Sequence, residues 1–300
     1  MIRVHIRSIF LMSLLLTSTA LPCLAGDPEV SNVRAEPRAG TSPPPPDDMI
    51  FVAAGTTPGG YVSITNTFLI DKYEVTNERM ADVLQWAYNQ SPALITASGS
   101  TVLNAVGNQQ ELLDLDSNYC QINFSGGTFS VNSGKDNYPC VAVTWYGATA
   151  YCNYLSQWQG RKPAYDLSNW TLSGGANGYR LPRDAEWEYA ARGGKDGKDT
   201  EYSGSDTIGD VAWYGSNSGG HSHEVGTKGQ NELGTHDMSG NVWEWCHEWY
   251  TPGYEGLHRA ERGGGWWRYA NRCRVANRGH YAPGDSYFNL GFRAVLPPGQ

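Results

Sequence analysis

Two carboxylates seven residues apart, Asp237 and Glu244, flank a Gly240-Asn241 turn in the segment HDMSGNVWE. Calcium takes hard oxygens from carboxylates and backbone carbonyls in a flexible loop. The spacing therefore offers a candidate calcium loop, with a plain turn carrying surface acids as the alternative. His221 and His223 form an HxH in a glycine-rich loop, but no third zinc ligand lies near them in the chain. Asp184, Glu186 and Glu188 resemble paired carboxylates for acid–base work. In LPRDAEWEYAAR they open a helix, where early acids favour the positive end of the dipole. The densest concentration of chemistry is RGGGWWRYANRCRVANRGHYAPGDSYFNLGFR near the C-terminus. Within it Trp267, Arg268, Tyr269, Asn271, His280, Tyr281, Asp285, Tyr287 and Phe288 follow neither helix nor strand periodicity and read as exposed loops. Rigid rings with Arg and Asn give recognition surfaces contact area at low entropic cost. Trp266 and Phe292 read as core. No Ser-His-Asp spacing, Walker loop or dinucleotide fingerprint is present.

The whole chain sets the limits. A net charge of −8 without a basic cluster argues against nucleic acid as a partner. Charged residues are only 17%, while 36 Gly, 11 Trp and 18 Tyr point to a loop-rich globular domain rather than a helical bundle. Residues 1–25 read as a signal peptide: Arg3, His5 and Arg7 precede an apolar run, Ile9 to Leu16, and Ala25 suits cleavage. That run is short for a membrane span. A lipid anchor would use Cys23, though Ala20-Leu21-Pro22 matches a lipobox poorly. The reading is of an exported protein, periplasmic, cell-surface or secreted. Residues 26–48, ending in four prolines, form a tether that is disordered at its start. The folded domain covers 49–300.

Short strands, a few helices and long loops predict an α+β fold. Strands are expected at 49–55 and 61–76, with a helix at Glu78–Asn89 capped by Thr76 or Asn77. An excursion at 91–136 should hold a short helix, Gln109–Leu115, and a small hairpin. A strand is expected at Tyr138–Val143, then helices at Tyr146–Gln159, capped by Thr144, and at Asp184–Arg192, stopped by Gly193-Gly194.

FLIDKYEVTN, YPCVAVTWYGATAYCNYL, GYRLPRDAEWEYAARGG, DMSGNVWEWC, RGG and NLGFR, in this order, resemble the formylglycine-generating enzyme (sulfatase-modifying factor) family from about Met49 to Val295. The resemblance implies a compact, irregular, loop-rich C-type-lectin-like fold. It implies calcium at Asp237, the Gly240 and Val242 carbonyls and Glu244. It also implies a structural disulfide between Cys152 and Cys273, leaving Cys120 and Cys140 free to form a second and Cys246 as a buried thiol. Catalytic members oxidise a sulfatase cysteine with copper held by two cysteines after the RGG block. Here those positions fall on Arg268 and Cys273, and one thiolate does not replace the pair. Copper is therefore not expected, and Cys273 would be catalytic only in an enzymatic reading. The same fold serves ligand-binding variable proteins, whose variable positions lie in the corresponding C-terminal loops. Two functions follow: a secreted, non-catalytic binding protein for a protein or glycan, or a formylglycine-generating oxidoreductase.

Overall fold

A computed structural model describes residues 49–251 and 256–298. The predicted signal segment and the proline-rich tether lie outside the described residues. The architecture is mixed α and β, with few helices and many short strands joined by long loops. Among the described residues no helix is long and apolar enough to cross a membrane.

The helices start where side-chain oxygens can cap them. Thr76 Oγ1 accepts from the Arg79 amide to open α1, Asn77–Tyr88, which buries Met80, Val83, Leu84 and Ala87. Thr144 Oγ1 accepts from the Gly147 amide at 3.0 Å and opens α2, Trp145–Trp158. α3, Asp184–Ala191, starts with the Glu186 carboxylate accepting from the Arg183 amide at 2.8 Å. Gly193, at φ 79°, takes the left-handed conformation that ends it. α1 and α2 pack side by side over one large core, to which Trp145, Tyr151, Cys152, Trp243, Trp245 and Phe292 contribute. A second core lies between α3 and a three-stranded sheet, with Trp187, Val52, Phe68, Ile70 and Val295.

That sheet sets Phe68–Asp71 between Met49–Val52 and Val295–Leu296, both antiparallel to it. A four-stranded sheet runs in the order Arg278–Tyr281, Arg259–Arg262, Trp243–Trp249 and Leu290–Gly291. It carries the candidate site.

Three expectations are corrected. The helix predicted at Gln109–Leu115 is a strand, Glu111–Asp114, paired with Thr101–Asn104; its two leucines are buried by tertiary packing that outweighs local propensity. The strand predicted at Tyr138–Val143 makes only single bridges, because Ala142 at φ 59° interrupts the extended backbone. The strand predicted at 61–76 is divided into Ser63–Ile64 and Phe68–Asp71. The hairpin expected in the excursion is present, Ile122–Ser125 with Thr128–Val131 around Gly126 and Gly127.

Candidate functional site

Side chains alternate between the faces of a strand. On Arg259–Arg262 this sends Ala260 and Arg262 one way and Arg259 and Glu261 the other. Arg262 pairs with Asp184 and Glu188 of α3, and Glu186 pairs with Arg180 at 2.6 Å, so the three early acids of that helix act structurally. Arg259 lies between two rings, 3.7 Å from Trp145 and 3.4 Å from Trp249, and donates to the His247 carbonyl at 2.6 Å. Burial pulls it down to about 10.

Glu261 faces Gly279 across the sheet. A Cβ at position 279 would lie 2.2 Å from Glu261 Oε1, so the absent side chain is what leaves room for the carboxylate. Glu261 is only 3% exposed, and its Oε2 has no hydrogen-bond partner. Burial pushes the carboxyl up to about 8, against a smaller opposing pull from Arg268. The strand pairing sets Trp245 opposite Glu261. Trp243 shares the face of Trp245 by alternation. Its indole N–H is buried and also without a partner.

Glu261, Gly279 and Trp243 line a cleft of 250 Å³ together with Tyr250, Arg268, Arg272, Arg278, His280 and Tyr281. Arg268 donates to Tyr281 Oη at 3.3 Å, while its Nε is unpartnered. Arg278 is committed to Asp184, 3.0 Å away, and to the Tyr250 carbonyl at 3.1 Å. The His280 ring lies 4.4 Å from that of Tyr250.

The structure thus brings Arg268, His280 and Tyr281 of the predicted surface into one cleft. Trp267 and Tyr269 flank Arg268 in the chain and stand in solvent, 62% and 85% exposed. Tyr287 is also exposed and lies 4.1 Å from the Tyr281 ring. Asn271 is exposed. Two predicted residues serve other ends. Asp285 accepts from the Ala282 amide at 3.0 Å and closes a turn. Phe288 packs on Trp266 and Tyr119 and lines a separate 80 Å³ cleft. Glu261, Trp243, Arg272 and Arg278 were not singled out from the sequence. The facing of Glu261 by Gly279 that buries it arises only from strand pairing.

The predicted calcium residues meet a buried charge cluster. Glu244 engages Arg293 through both oxygens at 2.7 Å, and also accepts from Trp187 Nε1 at 2.7 Å. It is therefore an ion-pair partner and not an open metal ligand. Glu74, 170 residues before it, joins the cluster, accepting from Asn241 Nδ2 at 2.6 Å and from the Val242 amide at 3.0 Å. Burial first, then Asp237 and Glu244, push the Glu74 carboxyl well above its usual range. Asp237 accepts from the Gly226 amide at 2.7 Å, but its Oδ1 has no partner. Three carboxylates thus share one buried arginine. Of the expected calcium donors, Asp237 keeps an unpartnered carboxylate oxygen, whereas both Glu244 oxygens are taken by Arg293 and Trp187. No group of three or more His, Cys, Asp or Glu suited to a metal occurs among the described residues. His223 stacks on Trp213 at 3.7 Å and pairs with the Ser218 carbonyl at 2.8 Å, which ties the HxH into its loop.

The predicted disulfides are not formed. Cys120, Cys140, Cys152, Cys246 and Cys273 are all free and buried. Cys152 sits in the large core, whereas Cys273 packs with Tyr202 and Val211 in a different cluster, so the two do not meet. Burial pushes Cys273 up to about 12, which keeps it a thiol. With a guanidinium at 268 and a protonated thiol at 273, the residues present do not fit a two-thiolate copper site.

The sequence profile of the Sulfatase-modifying factor enzyme 1-like domain matches residues 35–297. The chain belongs to this family. Its sulfatase-modifying factor domain is 37% identical over 195 residues to the chaperone protein LppX of Paenibacillus barcinonensis, covering 52% of this chain and 69% of that one. It is 34% identical over 197 residues to a formylglycine-generating enzyme of Streptomyces coelicolor, covering 56% of each. It is 32% identical over 180 residues to the inactive C-alpha-formylglycine-generating enzyme 2 of Mus musculus, covering 54% of this chain and 50% of that one. The matched segments thus span about half of the last two proteins. Among solved structures, CarF superposes with a TM-score of 0.65 at 26% identity, over 84% of this chain and 98% of that one. Treponema denticola variable protein 1 gives 0.60 at 27% identity, over 83% and 95%. The fold is accordingly the irregular C-type-lectin-like fold of the sulfatase-modifying factor domain.

Proposed function

We propose that this sulfatase-modifying factor domain is an exported, non-catalytic binding protein that captures a small polar ligand in the Glu261–Arg268 cleft. The observation that carries the reading is the pair of buried, unpartnered polar groups on that cleft, Trp243 Nε1 and Glu261 Oε2. Buried polar groups are ordinarily hydrogen-bonded, so two orphans on one cleft mark where an incoming molecule would supply partners. Trp267, Tyr269 and Tyr287 stand exposed on the same C-terminal segment, and the Tyr287 ring lies 4.1 Å from that of Tyr281 in the cleft. An inactive relative and one named as a chaperone are compatible with a role that is not catalytic. The oxidoreductase alternative would need Cys273 as a thiolate beside a second thiol, and Arg268 stands in that place. Export rests on the N-terminal sequence alone.

The test is a thermal-shift and ligand-observed NMR screen of sugars, organic acids, amino acids and short peptides against the wild type and Arg268→Ala. At least one compound should bind the wild type and lose about tenfold or more in affinity in the variant, as for a lost charged hydrogen bond. Trp267→Ala and Tyr287→Ala should weaken the same compound while stability stays within about 0.5 kcal/mol, as at other surface sites. A screen in which no compound distinguishes wild type from Arg268→Ala would sink the reading.

Calcium enters as a structural ion at Asp237, supported by the unpartnered Oδ1 and the surplus of buried carboxylate. A ligand bound only by the folded state stabilises it by mass action. Adding EGTA to calcium-loaded protein should lower Tm by about 4 °C or more, corresponding to a loss of about 2 kcal/mol or more. An unchanged Tm removes calcium from the account.

A further inference from the structure

The chemistry around the cleft narrows the ligand further. Of its three arginines, Arg278 is already paired with Asp184. Arg268 and Arg272 form no ion pair with a carboxylate among the described residues. A guanidinium presents a planar fork of donors that matches a carboxylate or phosphate. In a protein of net charge −8 this cleft is a local positive site, which draws an anion. Trp243, whose buried Nε1 has no partner, lines the same cleft.

Glu261 asks for something different. A buried carboxyl without a donor is costly, and no group among the described residues supplies one to its Oε2. The fold nevertheless preserves the group, since Gly279 keeps clear the space that its Oε1 fills. A molecule that carries only negative charge would satisfy the arginines and leave Glu261 as it stands. A molecule that carries both an acceptor anion and an N–H donor would satisfy every unpartnered group at once. The volume of 250 Å³ lies just below the range of roughly 300–1,000 Å³ typical of drug-sized ligands.

Resting on the cleft reading above, we infer that the ligand is a small zwitterion of the α-amino-acid type. Its carboxylate faces Arg268, Arg272 and the Trp243 N–H, and its amine donates to Glu261. Arg268 and Arg272 thus select the anion, and Glu261 rejects anions that bring no donor.

The experiment is isothermal titration of the mature chain at pH 8.5, above the value of about 8 to which burial pushes the Glu261 carboxyl, with L-amino acids, their deaminated carboxylate analogues and inorganic phosphate. An L-amino acid should bind at least about tenfold more tightly than its deaminated analogue, the size expected for a charged hydrogen bond. Glu261→Gln should collapse that preference to near unity. Gly279→Ala tests the same point from the strand that faces Glu261. Its Cβ would meet Glu261 Oε1 at 2.2 Å and Cδ and Cγ at 2.9 Å, so the side chain must shift and the preference should fall, with Tm recorded alongside. This second variant keeps the test alive if Glu261→Gln folds poorly. Phosphate or a deaminated acid binding as tightly as the amino acid would overturn the inference, as would a preference that survives both variants. Sugars or organic acids that bind through Arg268 while no amino acid does would overturn the zwitterion and leave the cleft reading standing. The absence of any Arg268-dependent binder would overturn both.

Discussion

Replacing Arg293 with methionine should destabilise the domain by about 3–5 kcal/mol, the range for stripping one partner from a buried ion pair. Arg293 and Glu244 are both fully buried, and two guanidinium nitrogens meet the two carboxylate oxygens at 2.7 Å. The remaining donors reach the carbonyls of Asp71 at 3.0 Å, Lys72 at 3.3 Å and His236 at 2.9 Å. One side chain therefore joins the three-stranded sheet, the loop leading to Asp237 and the strand carrying Glu244. Methionine would leave Glu244 with the Trp187 N–H in place of an ion-pair partner, and with Glu74 and Asp237 still nearby. Arg293→Lys should also lose most of this stability, because a single ammonium cannot present the fork. The double variant Arg293→Met/Glu244→Met should recover part of the loss, since it removes the stranded charge. Urea unfolding midpoints at constant m value measure all three. A loss below about 1 kcal/mol for Arg293→Met would show that the buried pair is not what ties these segments together.

The second large effect is expected at Gly147. Alanine usually stabilises a helix interior relative to glycine by about 1 kcal/mol. Here the sign should reverse, with a loss of about 3 kcal/mol, the upper end for overpacking a dense core. A Cβ at 147 would stand 1.9 Å from the Leu112 carbonyl oxygen and 2.9 Å from Val143 Cγ2. The obstacle is backbone, and it is pinned. The Thr144 amide donates to the Leu112 oxygen at 3.2 Å, and Thr144 Oγ1 donates to the Glu111 carbonyl at 2.6 Å. The strand Glu111–Asp114 cannot retreat without breaking the cap of α2. A thermal melt of Gly147→Ala decides the matter, and a raised Tm would mean that helix and strand are not in this contact.

What the sequence revealed followed the range of the interaction. The three main helices were legible because their caps lie within three residues of the amides they serve, as with Thr144 and Gly147. The aromatic and arginine-rich C-terminal segment was legible from residue type alone, and the fold from the order of its six blocks. Glu261 was not, because one acid between arginines on a strand looks like surface charge. Its burial depends on Gly279, brought opposite it only by strand pairing. Glu74 was missed for the same reason, since it meets Asn241 and Val242 across most of the chain. The leucines of 109–115 suit a helix in isolation, and only pairing with Thr101–Asn104 makes them a strand. Cys152 and Cys273 were paired by resemblance, whereas the cores that hold them are separate.

The three-stranded sheet has a mechanical consequence. Met49–Val52 and Val295–Leu296 both run antiparallel to Phe68–Asp71, and so run parallel to each other. The chain enters the sheet beside Asp71, and Leu296 leaves it beside Leu69, so the two leave from opposite ends of the ladder. Tension applied through the two ends would load these hydrogen bonds together, in shear, rather than peel them open one by one. Drawn out from both ends, the domain would resist as a clasp, and it would yield only when the whole short ladder gave way.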